Sequence, residues 1–94
     1  MPQYKLTSNA DEDLYRIFHY GIEEFGLQAA ETYYDKLHIA FDKIAEHPLL
    51  YPISSDYKEY RVYTLLPDSI YYRVYPNMVE IVAIIGSQDK SVWV

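Results

Sequence analysis

Two arginines stand inside runs of tyrosine and valine: Arg61 in EYRVYTLL (59–66) and Arg73 in SIYYRVY (69–75). A guanidinium presents its donors in a rigid fork that matches a carboxylate or a phosphate bidentately. Tyrosines beside it add area that is dry on the ring and wet at the hydroxyl, a composition favoured at binding surfaces. Arg61, Tyr63, Tyr71, Arg73 and Tyr75 are therefore the candidate binding residues, for a carboxylate, a phosphate or a peptide. The same residues have a plainer reading. Tyrosine suits a half-buried strand, and an arginine on an open sheet face or edge discourages aggregation. Two arginines do not choose between these readings.

Acid–base chemistry finds less support. The histidines are His19, His38 and His47; two fall in helical segments and the third precedes Pro48. None lies in the strand-like runs, and a general base must reach a reacting atom. Glu23 and Glu24 are adjacent on a helix and diverge, so they form no carboxylate pair. No zinc-protease, nucleophile-elbow or phosphate-loop motif occurs. The absence of cysteine removes disulfides, thiolate metal sites and cysteine nucleophiles. No catalytic residue, cofactor or metal site is expected.

The elements that would position these residues follow from periodicity. Residues 3–7 alternate as a short strand. Ser8 and Asn9, each with an acid three residues on, offer a capping-box start. Leu14, Ile17, Phe18, Ile22 and Phe25 recur at helical spacing until Gly26. A second helix is expected over 27–46, with Ala30, Tyr33, Leu37, Phe41 and Ile44 as its buried stripe and Pro48 as its stop. Residues 48–58 read as a long loop. Three strands are expected over 59–66, 69–75 and 78–85, divided by Pro67-Asp68 and Pro76-Asn77. Short connections make them an antiparallel meander, and the last, apolar except for Glu80, is expected to be central. The fold class is α+β in one domain over 1–94: an N-terminal strand, then an antiparallel helical hairpin packed on a mostly antiparallel four-stranded sheet. The hairpin covers one sheet face, and the opposite face is expected to meet water or a partner.

The net charge of −6 is not evenly spread. Residues 11–46 hold nine acids against three bases, and the remainder holds five of each. Tight nonspecific nucleic-acid binding needs clustered Lys and Arg, so neither that nor sequence-specific nucleic-acid binding is expected. The acids are a solvated helical surface or a counter-surface for a basic partner. Residues 1–20 lack a basic start followed by an apolar block, and no apolar run approaches the roughly 20 residues of a membrane span. A cytoplasmic location without membrane contact is expected.

The whole pattern resembles a known superfamily. YKLT, Ala10, Asp13 and Leu14, then YYDKL, IAEHP, LLYP, YRVY and IYYRVY followed by VEIVAIIGSQD are similar to RelE/ParE toxins of type II toxin–antitoxin modules, over residues 4–89. The resemblance implies the fold derived above, a bacterial cytoplasmic setting and a cognate antitoxin, ParD-like or similar. RelE-like members cut mRNA at the ribosome with a basic cluster; ParE-like members inhibit DNA gyrase. Many relatives carry a His-Gly-x-Arg-like stretch where this chain has Ile85, Gly86, Ser87 and Gln88. Gln88 joins the candidate set on that ground, and the missing His and Arg favour a ParE-like toxin that acts on gyrase by binding. A RelE-like endoribonuclease and a non-toxic binding relative are the alternatives.

Overall fold

Thr7 turns the chain from strand to helix. The structure, a computed structural model, describes residues 3–86. A short strand, β1 (Tyr4–Leu6), leads into α1 (Ser8–Phe25) and α2 (Leu27–Glu46). The Thr7 hydroxyl accepts from the Ala10 amide at 3.0 Å, filling one of the donors that a helix start leaves open. The cap thus falls one residue before Ser8 and two before Asn9, the expected positions. Tertiary contacts hold Thr7 there, since its amide donates to the Ile81 carbonyl and its hydroxyl to the Val82 carbonyl, both at 3.0 Å, while Asn9 Nδ2 donates to the Val82 carbonyl at 3.2 Å. Gly26 separates the helices by a single residue at φ 93°, a value that a Cβ disfavours. The hairpin closes tightly: a Cβ on Gly21 would meet the Ala30 Cβ at 3.2 Å. As expected, α2 ends at His47, before Pro48.

The remaining strands are β2 (Arg61–Leu65), β3 (Asp68–Tyr75) and β4 (Met78–Gly86). They form an antiparallel meander, and β1 joins parallel to β4, giving the order β1-β4-β3-β2. The apolar β4 is interior, and the architecture is the expected α+β hairpin on a four-stranded mixed sheet.

The alternation of β4 breaks once. Tyr71 faces Ala83 but Tyr72 faces Ile81, so Val82 is an extra residue, a β-bulge. Before it, Val79 and Ile81 point to the helices; after it, Ile84 does, while Ala83 and Ile85 point away. Both faces of this strand are buried, which explains its nearly continuous apolar sequence. The main core joins Leu14, Leu37, Phe41 and Ile44 of the helices to Ile70, Tyr72, Ile81 and Ile84 of the sheet.

Beyond Leu6, side chains of α1 and of its cap take over the β4 edge. Thr7 Oγ1 donates to the Val82 carbonyl at 3.0 Å, and Asp13 Oδ2 accepts from the Ile84 amide at 3.0 Å. Asp13 is buried and also meets Arg16 at 3.1 Å. Eight of the nine acids in 11–46 are exposed, and Asp13 is the exception because the sheet edge uses it. Among the described residues, no helix is long and apolar enough to cross a membrane.

Candidate functional site

Strand register sorts the candidate residues onto two faces. Arg61 pairs with Tyr72 and Tyr63 with Ile70, and both partners belong to the helix-side core. Residues directly across a strand pair share a face and adjacent residues oppose. Arg61 and Tyr63 therefore face the helix side, and Tyr71, Arg73 and Tyr75 the other. Gln88 lies outside the described residues.

On the helix side, Arg61 and Tyr63 hold the loop after α2. Arg61 Nη1 donates to the Tyr51 carbonyl at 2.7 Å, and the Tyr51 ring meets Tyr63 edge-on at 4.7 Å. Tyr72 donates to the Pro48 carbonyl at 2.6 Å. Burial pushes the Tyr72 hydroxyl up to about 12, opposed by the charge of Arg61. Tyr33 donates to the buried Asp68 carboxylate, and burial together with that bond pushes its pKa far up. Tyr4 and Tyr51 are shifted upward too, chiefly by burial.

The opposite face is not bare. The later part of the loop, residues 54–60, folds back over it: Ser54 Oγ accepts from the amides of Asp56 and Tyr57, and the Ser54 amide donates to the Tyr60 carbonyl at 2.9 Å. This places Tyr57 and Tyr60 against Tyr71, Ala83 and Ile85, with Tyr57 edge-on to Tyr71 at 5.4 Å. The face expected to be open is half roofed by its own loop. For Tyr57 the sequence offers only the length of the loop as a signal; Tyr60 falls in the strand expected over 59–66, which begins instead at Arg61. A shallow cleft of about 130 Å³ remains, bounded by Asn9, Tyr57, Tyr60 and Val82.

Arg73 stands at the rim of this roof. Its guanidinium lies over the Tyr60 ring at 5.0 Å, a cation–π distance. Nη2 donates to the Tyr60 hydroxyl at 3.0 Å and Nη1 to the Tyr75 hydroxyl at 3.3 Å, and these bonds raise its pKa. Tyr75 in turn donates to Glu80 at 3.4 Å. The guanidinium is thus oriented by neutral hydroxyls and keeps further N–H groups for an incoming acceptor. The structure brings Tyr71, Arg73 and Tyr75 together, adds Tyr60, and separates Arg61 and Tyr63 from them. A second and larger cavity, about 790 Å³, opens elsewhere, between the helices and the sheet end where β4 finishes.

A family described as the ParE toxin of the type II toxin-antitoxin system, parDE, matches residues 4–91. The chain belongs to the ParE toxin family. Its fold is similar to a chain of the chromosomal ParDE TA system from P. aeruginosa, with a TM-score of 0.81 at 21% identity, covering 92% of this chain and 96% of that one. It is also similar to a conserved hypothetical protein from Helicobacter pylori, with a TM-score of 0.56 at 13% identity, covering 94% and 97%. No curated protein matches it. The RelE/ParE resemblance thus resolves to its ParE branch.

Proposed function

We propose that this ParE-family toxin inhibits DNA gyrase by protein contact, through the face that carries Arg73, Tyr60, Tyr71 and Tyr75. A cognate antitoxin neutralises it, as the ParDE naming of its structural relative suggests. One observation carries the choice of contact over cleavage. Arg61 and Arg73 face opposite sides of the sheet, and Arg61 is already bound to the Tyr51 carbonyl. Stabilising a phosphate in its transition state needs donors aimed together at the developing charge. These two arginines cannot converge on one phosphate. Contact needs less: an oriented guanidinium beside rigid aromatic rings is a common anchor of protein interfaces.

The test is supercoiling by purified gyrase, alongside growth on induction. Inhibition that rises with toxin and is lost in Arg73→Glu is expected. Normal supercoiling at saturating toxin removes the gyrase assignment. Codon-located cuts in ribosome-bound mRNA would instead establish cleavage. Normal growth with an antitoxin still co-purifying would leave a binding relative without toxicity.

A further inference from the structure

Arg73 has a carboxylate directly across the sheet and does not pair with it. In the register of β3 and β4, Arg73 stands opposite Glu80, so the two share a face. Opposite charges so placed attract one another across a strand pair. Here the Tyr75 hydroxyl comes between them, accepting from Arg73 Nη1 at 3.3 Å and donating to Glu80 Oε1 at 3.4 Å. Among the described residues, no ion pair reaches Arg73. Its positive charge is held in place and left unneutralised.

The shallow cleft beside Arg73 limits what can bind there. At about 130 Å³ it is well below the roughly 300 Å³ at which small-molecule pockets begin, so it has room for one side chain. Its walls are apolar or aromatic except at Asn9, and they include Val82, Ala83 and Ile85. Cleft and cation share Tyr60, which lines the one and whose ring lies 5.0 Å beneath the other. Tyr71, a second wall of the cleft, precedes Arg73 by two residues on the same face, about 6.6 Å along the strand. Glu80 and the net charge of −6 oppose a polyanion such as nucleic acid. A lone carboxylate matches a lone guanidinium.

We propose that the cleft and Arg73 form a two-point site for an extended acidic segment of a partner protein. An apolar side chain of that segment enters the cleft and, two residues along, an Asp or Glu carboxylate meets Arg73. In an extended chain such residues share a side, and their separation matches that of Tyr71 and Arg73. Tyr75 is a positioning residue, because its hydroxyl withholds Arg73 from Glu80. The proposal rests on the reading that this face makes the protein contact, and it names the chemistry that the target must bring.

The probe is the peptide acetyl-Gly-Leu-Gly-Asp-Gly-amide, titrated into the full-length protein and followed through the amide resonances of Tyr57, Tyr60 and Arg73. Saturable shifts confined to that face are expected. Asn in place of Asp, or Gly in place of Leu, should weaken binding about fivefold or more. Arg73→Gln should abolish the preference for Asp and keep that for Leu. Tyr75→Phe lets Arg73 close on Glu80, and should weaken the Asp peptide without changing the Asn peptide. The double variant Tyr75→Phe, Glu80→Gln should restore it, a rescue that a merely structural role for Tyr75 would not give. Equal affinity for Asp and Asn peptides, or no saturable shift, overturns the proposal. So does tighter binding of an oligothymidylate, which would make the face a nucleic-acid site. A Tyr75→Phe defect that Glu80→Gln does not rescue overturns the role of Tyr75. The titration contains no gyrase, so a toxin that binds the probe and leaves supercoiling intact loses its target and keeps its site.

Discussion

Tyr72 and Arg61 on one face of the sheet, and Tyr71 and Arg73 on the other, are the same residue types at neighbouring positions, put to different uses. On the helix side, Tyr72 is fully buried and both side chains end on backbone carbonyls, of Pro48 and Tyr51. Those bonds fix the loop and leave little for a partner. On the other side, Tyr71 is buried under a roof of loop tyrosines, and Arg73 ends on side-chain hydroxyls at the surface. A guanidinium bound to backbone acts as a staple, whereas one propped by neutral hydroxyls is presented. The partners, more than the residue types, tell structure from function here.

The largest effect should separate the two hydrophobic clusters. Phe41→Ala removes a fully buried ring from the helix-side core and is expected to lower stability by about 3–5 kcal/mol. Ile85→Ala, in the small cluster of the opposite face, is expected near the lower end for such truncations, about 2 kcal/mol. Urea unfolding of both variants checks the order; equal losses would mean that the second cluster is as much a foundation as the first.

Alkali should act on the helix side. Tyr4, Tyr33, Tyr51 and Tyr72 are all shifted upward, first by burial, and all belong to that cluster or pack on it. A folded-state pKa above the unfolded value near 10 means that the folded state keeps its proton longer. The stability is fully present below about pH 10 and is lost as pH rises; for Tyr72 the loss runs toward pH 12, by up to about 1.4 kcal/mol per pH unit. Tyr72→Phe should make this loss shallower. An equally steep fall in that variant, followed by urea midpoints from neutral pH upward, would detach the titration from this face.

The smallest effect on stability should have the largest biological consequence. Arg73→Ala is expected to change the unfolding free energy by less than about 0.5 kcal/mol, as surface substitutions do. Growth arrest on induction should nevertheless be lost. Arrest that survives in a folded Arg73→Ala protein would move the contact surface away from this rim.

Much of the fold was legible because its signals are local. Gly26, His47-Pro48 and the two proline turns divide the chain within a residue or two of the observed boundaries, and hydrophobic spacing separates helix from strand. What escaped depends on pairs of segments. Ser8 and Asn9 look like caps, but Thr7 caps the helix because its amide and hydroxyl are tied to the Ile81 and Val82 carbonyls of β4. The Val82 bulge is silent in a run where every neighbour is apolar. The opposition of Arg61 and Arg73 follows from Arg61 pairing with Tyr72, and no single strand contains that register. The spacing places Tyr60 inside the strand expected over 59–66, but β2 begins only at Arg61, and Tyr60 instead ends the loop, where it packs on the Tyr71 cluster. Asp13 did stand out in the family pattern, and the sheet edge supplies its physical reason.

That edge has a consequence for how the protein survives its own synthesis. β1 covers β4 only from Val79 to Ile81; past it, the row of peptide groups would invite a fifth strand from another chain. Instead the cap and first turns of α1 lay Thr7, Asn9 and Asp13 along the row, so a carbonyl is already donated to and an amide already accepted. At the other rim, Pro52 and Ile53 engage Val62 and Arg61 of the short β2. A crowded population of newly made chains finds little unpaired backbone along which to zip into fibrils, because a helix finishes one margin of the sheet and a loop hems the other.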